Sequence, residues 1–178
     1  MTTTARMAAL AVAVFACLAA AVPTARAAQS EETSDECGFY AGAAGAMVLP
    51  GGGTAHMRRL GGAALRCGRY LDEFLAIEGE AAWMENAAGL ALQGLWHWQG
   101  ADLYGRFFGY SSFDPFFTFG ARGWIGHDIG QVGPKAGIGA FWHLTDEWSL
   151  RADADAVLCL DSGTSVAFVL CAGIQYSF

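Results

Sequence analysis

Ten charged side chains recur at alternate positions along apolar stretches of this chain. They are Arg66, Arg106, Arg122, Lys135 and Arg151, set against Glu78, Glu80, Asp102, Asp153 and Asp155. Residues 151, 153 and 155 show the pattern most plainly, because 150, 152, 154, 156 and 158 between and beyond them are Leu or Ala. A period of two places such charges on one face of a strand and the apolar residues on the other. The chemistry open to that face is ion pairing. A lone buried charge costs several kcal/mol, whereas a hydrogen-bonded pair roughly breaks even. The two signs balance, so the charges are expected to form a packed ion-pair network. Arg106, and with less weight Asp102, is expected near a solvated strand end.

Other chemistry is less well provided for. Nucleophilic hydrolysis needs Ser and His within hydrogen-bond reach and a carboxylate to orient the imidazole. His56 and His127 fall in expected loops, His97 lies between Trp96 and Trp98, and His143 ends a strand. Ser162 and Ser165 lie near Asp161 but share their hairpin with no histidine. No His-x-x-x-His or paired-cysteine spacing suggests a metal site, and no cofactor is expected. Cys37, Cys67, Cys159 and Cys171 follow the expected leader. If the first hairpin pivots near Gly52, Cys37 comes opposite Cys67 and a cross-strand disulfide is possible. Otherwise all four are small apolar wall residues.

The elements that must position these charges are strands. Alternation predicts eight, over residues 37–48, 60–71, 73–85, 95–110, 116–125, 132–143, 148–159 and 165–178. Residues 71–73, 111–115 and 144–147 read as turns. Residues 49–59, with Pro50-Gly51-Gly52-Gly53, read as a longer loop, and 86–94 as an apolar-rich connection. Ahead of the strands, Arg6, an apolar run from Met7 to Val22 and Ala25-Arg26-Ala27 have the form of a cleaved secretory signal peptide over residues 1–27. Residues 28–36 form a short acidic periplasmic leader, and 37–178 form the barrel domain.

Without Arg6 and Arg26, eight Lys and Arg remain against seventeen Asp and Glu. Such an acidic chain lacks the basic patch that nucleic acid requires. No later segment is long and apolar enough for a spanning helix. A membrane chain without spanning helices must close its sheet, since open edges cannot sit in lipid. The expected fold is therefore all-β: an eight-stranded antiparallel up-and-down transmembrane barrel of the bacterial outer membrane. An eight-stranded interior is only wide enough for side chains to fill. The opposite phase carries Phe39, Trp83, Phe107, Phe117, Phe119, Trp142, Trp148, Phe168, Tyr176 and Phe178. Those nearest strand ends, Phe39, Trp83, Phe117, Trp142, Trp148, Tyr176 and Phe178, are expected at the membrane interfaces.

Gly38-Phe39-Tyr40-Ala41-Gly42-Ala43 resembles the first strand of small outer-membrane barrels of the OmpA/OmpX-like type. The stretch 136–141 followed by 144–152 resembles that family's sixth strand, tight turn and seventh strand, and Gln175-Tyr176-Ser177-Phe178 its last strand. The resemblance implies insertion by the barrel-assembly machinery, with Ile174, Tyr176 and Phe178 in the recognised last strand. It also implies a barrel-only form, surrounded by outer-membrane lipid and lipopolysaccharide and expected as a monomer. The role it suggests is structural, in membrane integrity, or one of surface interaction. The alternatives are a narrow porin-like channel and, since some small barrels of this kind act on lipid A, a lipid A-modifying enzyme. No histidine here sits two residues from a serine on a strand's outer surface, as that enzyme pattern requires.

Overall fold

The computed structural model describes residues 38–51, 60–72, 74–98, 113–126, 130–160 and 164–178. These form eight strands: β1 Phe39–Pro50, β2 Leu60–Tyr70, β3 Leu75–Met84, β4 Ala87–His97, β5 Phe113–Gly126, β6 Gly130–His143, β7 Trp148–Leu160 and β8 Thr164–Ser177. Each pairs antiparallel with its sequence neighbour, and β8 returns to β1 to close the barrel. At the closure Tyr40 faces Ser177, and the Phe178 amide donates to the Phe39 carbonyl at 2.8 Å. The signal-peptide and leader assignments, Cys37, Asp102, Arg106 and Phe107 lie outside the described residues.

Polar side chains set two of the connections. The Asp72 carboxylate accepts from the amides of Phe74 and Leu75, both at 2.7 Å. The Thr145 hydroxyl accepts from Glu147 and Trp148 at 3.3 and 3.0 Å. Both are local side-chain caps that reverse the chain. At the other end of the barrel, β3 reaches β4 through Glu85 and Asn86 alone.

Three expectations are corrected. The fourth strand is Ala87–His97 rather than 95–110, so most of the expected loop 86–94 is strand. Its alternation is hidden because both of its faces carry Ala, Gly and Leu. The fifth strand starts at Phe113, so Pro115 lies inside it. Pro115 sits beyond the last β4 pair, His97 with Phe116, so its missing amide removes no ladder bond. Finally, Cys67 is a free thiol whose register partner is Ala41, not position 37. The hairpin centres beyond Gly52 because Pro50 is still in β1, paired with Ala167.

The alternation sorts as expected in the other strands. Trp83, Phe117, Phe119, Trp142, Trp148, Phe168 and Phe178 point outward and are exposed, while Phe39 and Tyr176 are half-buried. The large interior side chains need bare neighbours. A Cβ on Gly139 would lie 2.3 Å from the Phe116 ring, and one on Gly89 would lie 2.5 Å from the Trp124 ring. Glycine there makes room for an aromatic residue inside a narrow barrel.

Candidate functional site

The lumen is filled in three layers. The middle layer is a ring of ion pairs. Arg66 Nε donates to Glu80 Oε2 at 2.8 Å, and its two terminal nitrogens donate to the Asp153 carboxylate at 2.6 and 3.0 Å. Asp153 also accepts from Arg151 Nε at 2.9 Å, and Arg151 Nη1 reaches Glu78 Oε2 at 2.5 Å. Gln93 then relays: its Nε2 donates to Glu78, and its Oε1 accepts from Lys135 Nζ. Lys135 Nζ donates to Asp155 Oδ2 at 2.6 Å, and Thr118 Oγ1 donates to Asp155 Oδ1 at 2.5 Å. Arg122 closes the circuit, donating to Glu80 Oε1 at 2.5 Å and lying 4.0 Å from Asp155 Oδ2.

This circuit holds four cations and four anions, every one at least nine-tenths buried. Charges this deep persist only when paired and hydrogen-bonded. Strands β2 to β7 supply all the members. The β1–β8 seam supplies none: Arg66 is in register with Gly42 on β1, and Arg151 with Gly173 on β8. Small residues on the seam leave room for arginines that reach across from the other strands.

At the far end, where Glu85 and Asn86 turn, the lumen is apolar. Leu60, Met84, Trp124, Val157, Cys159 and Val169 pack there with buried alanines. At the near end, where β1 starts and β8 finishes, Tyr40, Tyr70, Leu95, Phe116 and Phe141 form an aromatic collar. Arginines border both apolar layers. The Arg122 guanidinium lies 5.1 Å from the Trp124 ring centroid, and that of Arg151 lies 4.9 Å from Phe116 and 5.2 Å from Phe141. Stacking on rings lets a buried cation face apolar neighbours at reduced cost.

Within the collar His97 stacks on Phe141, with ring centroids 5.7 Å apart and planes 7° apart. Its Nδ1 is 2.6 Å from Asp114 Oδ2, so the carboxylate holds the Nδ1–H tautomer. Nearby, His143 Nδ1 is 2.8 Å from Ser149 Oγ. A hydrolytic relay needs one imidazole between hydroxyl and carboxylate; here Ser149 and Asp114 hold different imidazoles. Among the described residues no cluster of three or more His, Cys, Asp or Glu side chains could hold a metal ion.

Eight of the ten expected lumen charges meet in the ring. Sequence reasoning missed Gln93, Thr118 and the His97–Asp114 pair. Thr118 shares the phase of Arg122 and was legible as interior. Gln93 and His97 share the phase of Leu95 and Ala91 on β4, which becomes readable once that strand starts at Ala87.

No protein-family model and no curated protein matches the chain. Solved structures do. The outer membrane protein OprG from Pseudomonas aeruginosa superposes with a TM-score of 0.59 at 13% identity, over 81% of this chain and 97% of that one. Neisserial surface protein A gives 0.59 at 12%, over 83% and 100%. The N-terminal β-barrel domain of Pseudomonas aeruginosa OprF gives 0.54 at 13%, over 78% and 97%. The chain has the fold of the small eight-stranded outer-membrane barrels. Its lumen holds an ion-pair ring between an apolar layer and an aromatic collar.

Proposed function

We propose that the chain is a closed, non-conducting barrel of the bacterial outer membrane, acting in membrane integrity or as a surface-interaction protein rather than as a porin or an enzyme. The observation that carries this reading is the filled lumen: eight buried, mutually paired charges stacked against an apolar plug. A channel needs a hydrated path, and a layer of Met84, Trp124, Val157 and Val169 lying across the barrel excludes one.

The membrane location rests on the outward face. Leu92, Trp96, Val132, Ile138, Trp142 and Leu160 are each more than half exposed, which in water would be an aggregation hazard. The fold shared with outer membrane proteins supports the same location. Aromatics at the near end, among them Trp142, Trp148, Tyr176 and Phe178, would sit at the headgroup level. Insertion through the last strand, with Ile174, Tyr176 and Phe178 on its outward face, by the barrel-assembly machinery belongs to the same reading. So does a monomer surrounded by lipid and lipopolysaccharide.

The separate Ser149–His143 and His97–Asp114 pairs support a non-catalytic role, because neither pair alone completes an acyl-transfer site. Membrane fractionation followed by gel mobility with and without heating tests the location. Recovery of the chain in the soluble periplasm, with no shift between folded and unfolded bands, would end it. Planar-bilayer recording tests closure: silence is expected, and steady openings would restore the channel. Mass spectrometry of lipid A from cells with and without the protein should give identical spectra; a lost or added acyl chain would make it an enzyme.

A further inference from the structure

The outward face is not uniformly bulky. Ala140, Ala152, Ala172, Gly45 and Ala63 are in register across β6, β7, β8, β1 and β2, forming one unbroken row of small residues. Trp142, Leu150, Ile174 and Leu65 stand along one side of the row, and Ile138, Leu170 and Met47 along the other, all exposed. Trp83, the register partner of Ala63, closes one end. A groove of about 770 Å³ lies over this row and the Trp142 side of it.

Steric need does not explain the bare floor. A Cβ on Gly45 would meet nothing closer than 3.9 Å, and one on Gly61, beside Met47, would meet nothing within 4 Å. The interior glycines differ: on Gly133 or Gly137 a Cβ would strike the neighbouring strand at 1.7 or 2.3 Å. At Gly45 on the floor, and at Gly61 on the flank, a side chain would fit and is missing.

The groove's dimensions select an occupant. Five strands about 4.8 Å apart give a path of about 19 Å that curves round half of the eight-stranded barrel, which a flexible chain can follow, and the flanking rows lie about 14 Å apart. That is roughly 270 Å², a third of the ~800 Å² each partner contributes to a stable interface. A second copy in an isologous pair would also present the same groove to this one, hollow against hollow. With strands tilted about 45° from the membrane normal, the groove is inclined similarly and crosses about 13 Å of depth. One leaflet of a ~30 Å hydrocarbon core is about 15 Å deep.

We propose that this groove holds one acyl chain of a membrane phospholipid as a bound ligand, retained longer than the lipid around the rest of the barrel. The inference rests on the membrane location proposed above. Apart from the indole N–H groups of Trp142 and Trp83, the groove's outward side chains offer only carbon, so the chain and not the headgroup is recognised.

The test uses the full barrel reconstituted in dipalmitoylphosphatidylethanolamine bilayers, extracted into detergent and weighed by native mass spectrometry. The wild-type barrel is expected to keep one lipid. The double variant Ala152→Leu/Ala172→Leu, which fills the floor, is expected to keep at least tenfold less. Ala121→Leu, on the outward face of β5 away from the groove, is expected to behave as wild type. Equal retention by the double variant overturns the proposal. So does a wild-type dimer that the double variant abolishes, since that would give the face to a second copy. Failure of the wild-type chain to enter the bilayer overturns the membrane reading along with this one; entry without retained lipid overturns this one alone.

Discussion

The ion-pair ring and the far-end plug close the same lumen at the same barrel width by opposite means. The ring uses eight charges, each committed to named partners on other strands. The plug uses alanine, valine, leucine, methionine, tryptophan and cysteine side chains which, apart from the buried Trp124 indole N–H, demand only volume. The ring is therefore specific and intolerant: removing one member leaves the buried circuit one charge out of balance. The plug is non-directional, and its losses should scale with the atoms removed. The two regions should respond differently to equivalent damage.

The largest effect is expected from Arg66→Ala, which strips partners from both Glu80 and Asp153. Breaking a buried ion pair by removing one partner costs about 3–5 kcal/mol, to be read from the urea dependence of the folded, heat-modifiable gel band. Arg66→Met with Asp153→Leu removes one charge of each sign and leaves Arg151 on Glu78 and Arg122 on Glu80. That double variant should regain most of the loss. If it is no more stable than Arg66→Ala, charge balance is not what the ring provides.

In the plug, Met84→Ala should cost about 2–4 kcal/mol through lost contacts and a residual cavity. Met84→Leu, which keeps the volume, should cost less than about 1.5 kcal/mol. The ring offers no such conservative exchange. If Arg66→Lys were as mild as Met84→Leu, the distinction between the regions would collapse, because a lysine lacks the fork that holds Glu80 and Asp153 together.

The readability of the chain follows the same division. β7 was legible to the residue, since Arg151, Asp153 and Asp155 contrast with Leu150, Ala152 and Ala154, and only one phase puts them together. The balance of signs along the other strands then announced the ring before any distance was known. β4 was not legible, because Ala, Gly and Leu occupy both of its faces and only Gln93 and His97 mark the interior. Its position depends on the Glu85–Asn86 turn and on pairing with β3 and β5, which are tertiary facts. The hairpin pivot expected near Gly52 was misplaced for a related reason. Register is set by the whole ladder, and the glycine run after Pro50 points to a pivot that β8 pairing moves.

A finer probe of the ring is Thr118→Val. It deletes one hydrogen bond to Asp155 and leaves the ion pair with Lys135 intact. The expected loss is about 1 kcal/mol, the net worth of one hydrogen bond, measured in the same unfolding assay. A loss as large as that of Arg66→Ala would mean that the hydroxyl, and not the lysine, holds Asp155 in place.

The smallest effect is expected at the near mouth. His97 and Asp114 form a hydrogen-bonded pair as the ring members do, but the Asp114 side chain is 26% exposed. Water at the rim can solvate whichever partner remains, so Asp114→Asn should cost less than about 1 kcal/mol. It should also leave bilayer recordings silent, because the ring and plug lie deeper. Were Asp114→Asn to destabilise the barrel as much as Arg66→Ala, the collar would have to be counted as part of the ring. The ordering Arg66, Met84, Thr118, Asp114 thus ranks a buried charge above buried volume, volume above one buried hydrogen bond, and all three above a pair that water reaches. Charge matters most where no water reaches it, volume next, and at the rim solvent replaces a missing partner.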